Sequence, residues 1–183
     1  CFPKDTLALV RTAQQAGAPT RIVEAVVDIN DARKKSMARR VIDACGGAVA
    51  GKTIAVLGLT FKPNTDDMRD SPALDLVPML QVAGARVRAF DPAGMEEAKK
   101  HLAGVAYCDG PYHAMEGADA VVLLTEWDEF RALDFRRVRE LLVSPVFIDL
   151  RNVYRPGMMK EQGFSYHSIG RPVSEGDPRR NPR

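Results

Sequence analysis

From Gly51 onward, short apolar segments alternate with segments of helical periodicity. This alternation predicts an α/β fold with a Rossmann-like, doubly wound parallel sheet. The most apolar of these segments, 118–125, is expected to be a central strand covered on both faces. In such a sheet the ligand crevice lies beyond the carboxyl ends of the strands. The predicted strands are 53–57, 86–90, 105–108, 118–125, 146–150 and 164–169, and the predicted helices are 71–84 (Ser71 as N-cap), 95–102, 135–142 (Asp134 as cap) and 158–162.

Two helices are predicted before the sheet. The first runs over 2–16, and the second, 20–45, is longer than a small domain usually needs. Its middle, 31–40, is rich in charge. The long helix is either an amphipathic surface helix or a spine that joins two domains and packs against a partner subunit. The predicted organisation is a helical segment at 1–47, a Rossmann-like domain at 51–172 and a flexible Pro/Arg-rich tail at 173–183.

Charge and composition exclude several classes of function. The net charge is +2, so no strong basic field attracts nucleic acid or a membrane surface. No apolar run reaches the length of a membrane span. Cys1, Cys45 and Cys108 form no CxxC pair, and the histidines are scattered, so neither a disulfide framework nor a metal site is expected. We therefore expect a cytoplasmic protein with free thiols.

The loop after the first strand, GLTFKP at 58–63, carries only one glycine of the GxGxxG fingerprint. This argues against an ordinary dinucleotide site in this domain and favours another ligand with a phosphate or ribose. Lys62 offers a point charge for phosphate, and Arg69 offers a bidentate fork. The alternative is a solvated charged loop whose local ion pairs contribute little.

The first five residues, CFPKD, carry a second group of reactive side chains. A helix that begins at Phe2 or Pro3 would place Cys1 at its positive end, where the thiolate is stabilised. Asp5 lies four residues on and could activate a water that attacks an acyl group on that sulfur. The alternative is a frayed end in which Asp5 is simply an acid favoured at the start of a helix.

These segments together resemble the UDP-glucose/GDP-mannose dehydrogenase family. CFPKD is similar to its catalytic-cysteine segment, GLTFKPNTDDMRDSP at 58–72 to its signature loop, and the helix at 20–45 to the helix that links its two domains and builds its dimer. AFDP at 89–92, LLTEWDEF at 123–130 and IDLRN at 148–152, which begin in predicted strands and run past their ends, also resemble family positions. The resemblance runs from residue 1 to about residue 172.

The resemblance implies oxidation of a sugar C6 alcohol to a carboxylate with two NAD and one water. A homodimer, a UDP-sugar substrate and a separate NAD-binding domain are implied as well, so this part alone should not turn over substrate. Asn152 stands where some relatives carry a second arginine. The implied roles are nucleophile for Cys1, water activation for Asp5, NAD contact for Lys4 and Arg69, and substrate contact for Phe61, Lys62 and Arg151.

Three alternatives stay open. GDP-mannose and UDP-N-acetylmannosamine dehydrogenases share this architecture, although the wording of the signature loop favours the UDP-glucose branch. A nucleotide-sugar-binding and dimerisation module without catalysis is a second alternative. A generic NAD oxidoreductase is weakened by the missing glycines. Trp127 is expected either to pack at the rim of the crevice or to form a wall beside the ligand.

Overall fold

A computed structural model describes residues 2–176, and the predictions that concern Cys1 and 177–183 lie outside this range. The described part forms eight helices and seven strands. The helices are α1 (Phe2–Gln15), α2 (Arg21–Ala44), α3 (Ala73–Val82), α4 (Met95–His101), α5 (Pro111–Met115), α6 (Asp128–Arg131), α7 (Phe135–Leu141) and α8 (Pro156–Glu161). The strands are β1 (Thr53–Leu57), β2 (Arg86–Phe90), β3 (Val105–Tyr107), β4 (Ala120–Leu123), β5 (Val146–Asp149), β6 (Ser165–Ser168) and β7 (Ser174–Glu175).

All seven strands belong to one sheet in the order β3-β2-β1-β4-β5-β6-β7. The first six are parallel, and β7 pairs antiparallel with β6. The winding reverses between β1 and β4, which are adjacent in space. The α/β, doubly wound fold is therefore confirmed, and its topological switch point lies between these two strands.

Two apolar cores cover the two faces of the sheet. Successive residues of β1 alternate between them: Ile54 and Val56 face the core that contains α2, α3 and α4, whereas Ala55 and Leu57 face the core that contains α5, α7 and α8. All four residues of β4 are buried. The prediction of a central strand covered on both faces is correct because β4 lies in the middle of the sheet.

The long helix α2 is about 36 Å long at 1.5 Å per residue. Its buried residues, Ala38 and Val41, lie in its C-terminal half. Ile22 and Ile29, nearer its start, are 83% and 65% exposed. Only the second half of α2 is thus anchored on the sheet, while its first half packs against α1.

Three short elements differ from the sequence prediction. The helices α5 and α6 occupy segments for which no element is predicted. The third is β7, formed at Ser174–Glu175 in the segment predicted to begin a flexible tail, where it pairs with Ser165 and Tyr166. Gly176 continues this contact through a hydrogen bond from its N–H to the carbonyl of Phe164.

Candidate functional site

The loops after β1 and β2 are tied together by one buried carboxylate. Oδ2 of Asp91 accepts hydrogen bonds from the backbone N–H of Leu59 at 2.7 Å and from both the N–H and the hydroxyl of Thr60 at 3.0 Å. Its other oxygen accepts from the N–H groups of Ala93 and Gly94. The start of the signature loop is therefore held rigidly at the carboxyl edge of the sheet.

Gly58 provides space for a neighbouring strand rather than for a phosphate. A Cβ at this position would lie 2.5 Å from Cβ of Thr125, and the backbone has φ +87°. Thr125 is locked there because its hydroxyl donates to the carbonyl of Thr60 at 2.6 Å. The gap at the switch point, where a dinucleotide fold admits a pyrophosphate, is filled by protein.

The principal cleft has a volume of about 320 Å³ and lies between α2 and the carboxyl ends of β1, β4 and β5. It brings together the three predicted substrate-binding residues Phe61, Lys62 and Arg151. Its cations outnumber its acids, which suits an anionic ligand. The lining residues are Pro3, Asn30, Arg33, Lys34, Met37, Phe61, Lys62, Asp70, Pro72, Leu124, Leu150 and Arg151.

Arg151 reaches this cleft from the loop after β5, where its side chain forms a bidentate ion pair. Its Nε donates to Oε2 of Glu126, and its Nη2 donates to Oε1 of Glu126 at 2.7 Å. Burial is the largest influence and would raise the pKa of Glu126, but the hydrogen bonds from Arg151, a backbone hydrogen bond and the charges of Arg151 and Arg131 together lower it. Glu126 therefore remains ionised at neutral pH.

The helix α2 supplies four residues of the cleft that are not among the predicted site residues. Asn30, Arg33, Lys34 and Met37 follow an i, i+3, i+4, i+7 pattern, so they lie on one helical face. Neither Arg33 nor Lys34 has an ion-pair partner within the described residues. The sequence shows only that the middle of α2 is rich in charge. Which of these charges face a cleft is decided by how the helix packs on the sheet.

The segment that follows Cys1 lies against the same cleft. Pro3 lines it, and a smaller cavity that shares Pro3, Asn30 and Lys34 continues between α1 and α2. Lys4 and Asp5 are exposed, and their charged groups lie 3.6 Å apart. The predicted helix start at Phe2 is confirmed. The position of Cys1 itself lies outside the described residues.

Arg69, the other predicted NAD contact, does not line the principal cleft. It is largely exposed, and it lines a separate cavity of about 330 Å³ with Asp66, Glu97 and His101. Its guanidinium binds Asp67 through two hydrogen bonds of 3.0 and 2.8 Å. These hydrogen bonds lower the pKa of Asp67 to about 2.

Other residues singled out from the sequence are structural. Trp127 is 9% exposed and belongs to the apolar core, which matches packing at the crevice rim. Cys45 and Cys108 are buried free thiols. No group of three or more His, Cys, Asp or Glu side chains within 2–176 could hold a metal ion. Among the described helices none is long and apolar enough to cross a membrane.

This arrangement, a doubly wound sheet with a cationic cleft at its carboxyl edge, is that of a nucleotide-binding α/β domain. The model of the UDP-glucose/GDP-mannose dehydrogenase family, UDP binding domain, matches residues 55–156. The chain belongs to this family. Among curated proteins it is 58% identical over 172 residues to UDP-glucose 6-dehydrogenase of Rhizobium meliloti, covering 94% of this chain and 39% of that protein. It is 45% identical over 177 residues to UDP-glucose 6-dehydrogenase TuaD of Bacillus subtilis, covering 96% and 38%.

Solved structures extend the similarity to three dimensions. A UDP-glucose dehydrogenase from Pyrobaculum islandicum has a TM-score of 0.71 at 35% identity, covering 81% of this chain and 33% of that one. A UDP-D-ManNAc dehydrogenase from Pyrococcus horikoshii has a TM-score of 0.74 at 29% identity, covering 97% and 38%. The chain thus spans about two fifths of the length of the curated relatives it matches.

Proposed function

We propose that the intact protein containing this chain oxidises UDP-glucose to UDP-glucuronate with NAD, and that this chain supplies the UDP-sugar cleft. The observation that carries the proposal is that Pro3, two residues from Cys1, lines the same cleft as Phe61, Lys62 and Arg151. Relatives named UDP-glucose 6-dehydrogenase support the choice of substrate, with identities of up to 58%.

In this proposal, different cleft residues bind different parts of the nucleotide sugar. The ring of Phe61 provides an apolar surface for the nucleotide, and Lys62 provides a positive charge for the diphosphate. Arg151 provides N–H donors in a fixed plane, which suits phosphate oxygens. Arg33 and Lys34 add positive charge from α2, so the cleft retains an excess of cations after Asp70 is counted. When Glu126, the partner of Arg151, is also counted, the excess is two positive charges, which equals the charge of the diphosphate in a nucleotide sugar.

Cys1 would carry the covalent chemistry. Oxidation of the C6 alcohol gives an aldehyde, and the Cys1 thiolate adds to its carbonyl to form a thiohemiacetal. Loss of a second hydride, together with the proton of the thiohemiacetal hydroxyl, converts this to a thioester. Asp5 would accept a proton from the water that attacks the thioester, which releases the carboxylate and regenerates the thiol. The ammonium group of Lys4 lies 3.6 Å from the Asp5 carboxylate.

NAD would accept the hydrides when bound, but the crevice of this chain does not fit it. Thr125 fills the space beside Gly58 where a pyrophosphate would approach the backbone. The dinucleotide therefore requires a site outside this crevice. Lys4 and Arg69 remain the proposed contacts to it because both are exposed cations with free N–H groups.

One of the comparisons favours a second candidate for the sugar of the substrate. The similarity to a UDP-D-ManNAc dehydrogenase extends over 97% of the chain, so an N-acetylated sugar is the second candidate. Initial rates with UDP-glucose, UDP-N-acetylmannosamine and GDP-mannose on the intact protein would separate the candidates. We expect UDP-glucose to have the highest kcat/KM, and a higher value for either of the others would replace it as the substrate.

A homodimer through α2 is also part of the proposal. The first half of the helix carries Ile22 and Ile29, whose side chains leave most of their apolar surface exposed within residues 2–176. Replacement of Ile29 by Asp should shift the intact protein toward monomer in analytical ultracentrifugation. Val82→Asp is a control because Val82 is 90% exposed on α3. An unchanged sedimentation coefficient for Ile29→Asp would contradict this interface.

The catalytic proposal is tested by Cys1→Ser in the intact protein. With UDP-glucose and NAD, the variant should form little or no UDP-glucuronate because a serine hydroxyl is a far weaker nucleophile than a thiolate at neutral pH. Cys108→Ala is the matched control, since Cys108 is buried and lies outside the cleft. Unchanged UDP-glucuronate formation by Cys1→Ser would refute the role of the thiol.

A further inference from the structure

The ion pair between Glu126 and Arg151 has a geometry that loose surface pairs lack. Both carboxylate oxygens are used, and they bind Nε and Nη2 along one edge of the guanidinium. The two side chains are 26% and 37% exposed, so the pair is partly shielded from water. A bidentate, half-buried pair of this kind fixes the direction of the arginine plane.

The backbone on both sides of the pair is immobilised. Glu126 lies between Thr125, which bonds the carbonyl of Thr60, and the buried Trp127. The N–H of Arg151 donates to Oδ1 of the buried Asp149 at 2.9 Å. Both partners are consequently presented from rigid positions at the ends of the adjacent strands β4 and β5.

The residue after Arg151 adds a second restraint. Asn152 has φ +56°, a left-handed conformation that asparagine tolerates better than most residues. Its side-chain amide donates to the carbonyl of Ile169 at 3.1 Å and accepts from the N–H of Ile169 at 2.9 Å. The side chain of Asn152 thus binds the backbone of Ile169, just after β6. Of the two neighbours Arg151 and Asn152, only Arg151 lines the cleft.

The pair leaves part of the guanidinium available. Arginine has five N–H groups, and Glu126 uses one on Nε and one on Nη2. Neither N–H of Nη1 has a hydrogen-bond partner within residues 2–176, because Glu126 occupies the Nε/Nη2 edge of the planar group. These donors remain for a ligand in the cleft.

We propose that Glu126 is a positioning residue that holds Arg151 in the orientation in which its free N–H groups meet the diphosphate of the nucleotide. This inference rests on the proposed UDP-sugar cleft. Because Glu126 compensates the charge of Arg151, the arginine acts as an oriented donor, and the net attraction for the diphosphate comes from Lys62, Arg33 and Lys34. Without the glutamate, the long side chain would have to be ordered when the ligand binds, which weakens affinity.

The test is a double-mutant cycle on the intact protein, with UDP titrated by calorimetry. Glu126→Gln keeps the size of the side chain and removes its charge. We expect a Kd for UDP about tenfold higher than in the wild type. Arg151→Gln should weaken binding similarly, and the double variant should be no weaker than Arg151→Gln alone. Glu96→Gln is the matched control, because it removes an acid from an ion pair with Lys99 that lies outside the cleft.

The outcomes separate this inference from other roles of Glu126. A merely structural role would lower Tm without changing the Kd for UDP, and that result would overturn the inference. Tighter UDP binding by Glu126→Gln would show that the glutamate competes for Arg151, which also overturns it. Additive losses in the double variant would do the same. If the wild-type protein fails to bind UDP, the proposed cleft fails and the inference falls with it.

Discussion

The indole N–H of Trp127 lies 3.2 Å from Oδ2 of Asp91 and donates a hydrogen bond to it. The two residues follow β4 and β2, which lie on either side of β1. Asp91 is 1% exposed, and Trp127 is almost as well buried. Because Oδ2 of Asp91 also binds Thr60 in the loop after β1, this contact joins the loops that follow β1, β2 and β4. Trp127 therefore has a structural role.

Asp91→Asn should destabilise the protein, because every group around the carboxylate is a donor and the amide would direct its own N–H groups at some of them. We expect a loss of about 2–4 kcal/mol in the free energy of unfolding, measured with urea. Asp128→Asn is the control, since the Asp128 side chain is 95% exposed in its pair with Arg131. A loss below about 1 kcal/mol for Asp91→Asn would mean that the network contributes little.

Gly58→Ala should also destabilise the protein. The added Cβ would meet Cβ of Thr125 at 2.5 Å, in addition to the cost of a positive φ. Gly47→Ala measures that second cost alone, because Gly47 has φ +88° and nothing within 4 Å. The loss for Gly58→Ala should exceed that for Gly47→Ala by about 2–3 kcal/mol. Equal losses would indicate that Thr125 moves away freely.

Lys34→Ala should weaken UDP binding by about three- to tenfold, since it removes a cation from the α2 wall of the cleft. The loss should shrink in high salt as the charges are screened. Lys35→Ala changes the same residue type one position along, on a face that does not line the cleft, and should leave the Kd unchanged. Equal Kd values for the two variants at low salt would exclude a role for the α2 wall.

His167 should make stability depend on pH. Burial lowers its pKa, the charge of Arg40 lowers it further, and Glu175 opposes them. The neutral imidazole is thus favoured in the folded state. Its contribution is fully present above the unfolded pKa of about 6.5 and is lost as the pH falls through the lower, folded pKa. Urea unfolding at pH 7.5 and 5.5 should show a smaller decrease for His167→Gln than for the wild type. Identical decreases would contradict this assignment.

The elements with long or regular patterns were predictable. The bounds of β1 and β2 match the sequence prediction to the residue, because β1 is an apolar run that stops at Gly58 and β2 stops at Asp91-Pro92. The predicted cap at Asp134 is confirmed, because its carboxylate accepts from the N–H groups of Arg136 and Arg137. Ser71 is a partial case: its hydroxyl accepts from the N–H of Ala73, although Pro72 is the N-cap residue.

The missed elements and contacts depend on short segments or on tertiary packing, which a local sequence pattern does not show. The helices α5 and α6 have only five and four residues, too few for a 3.6-residue period to appear. The strand β7 exists only through pairing with β6. Arg33, Lys34 and Glu126 become site residues through the packing of distant segments. Lys62 was predicted from its charge in the loop after β1, whereas Phe61 and Arg151 were predicted only because they fall in segments that resemble a family.

The central claim is that the cleft between α2 and the sheet holds the UDP portion of a nucleotide sugar with its sugar directed toward residue 1. A crystal structure of the intact protein with UDP-glucose measures this directly. The account predicts diphosphate oxygens within hydrogen-bond distance of Lys62 Nζ and Arg151 Nη1, and the sugar C6 beside the sulfur of Cys1. A nucleotide bound elsewhere, such as the cavity beside Arg69, or a sugar directed away from Cys1, would contradict it.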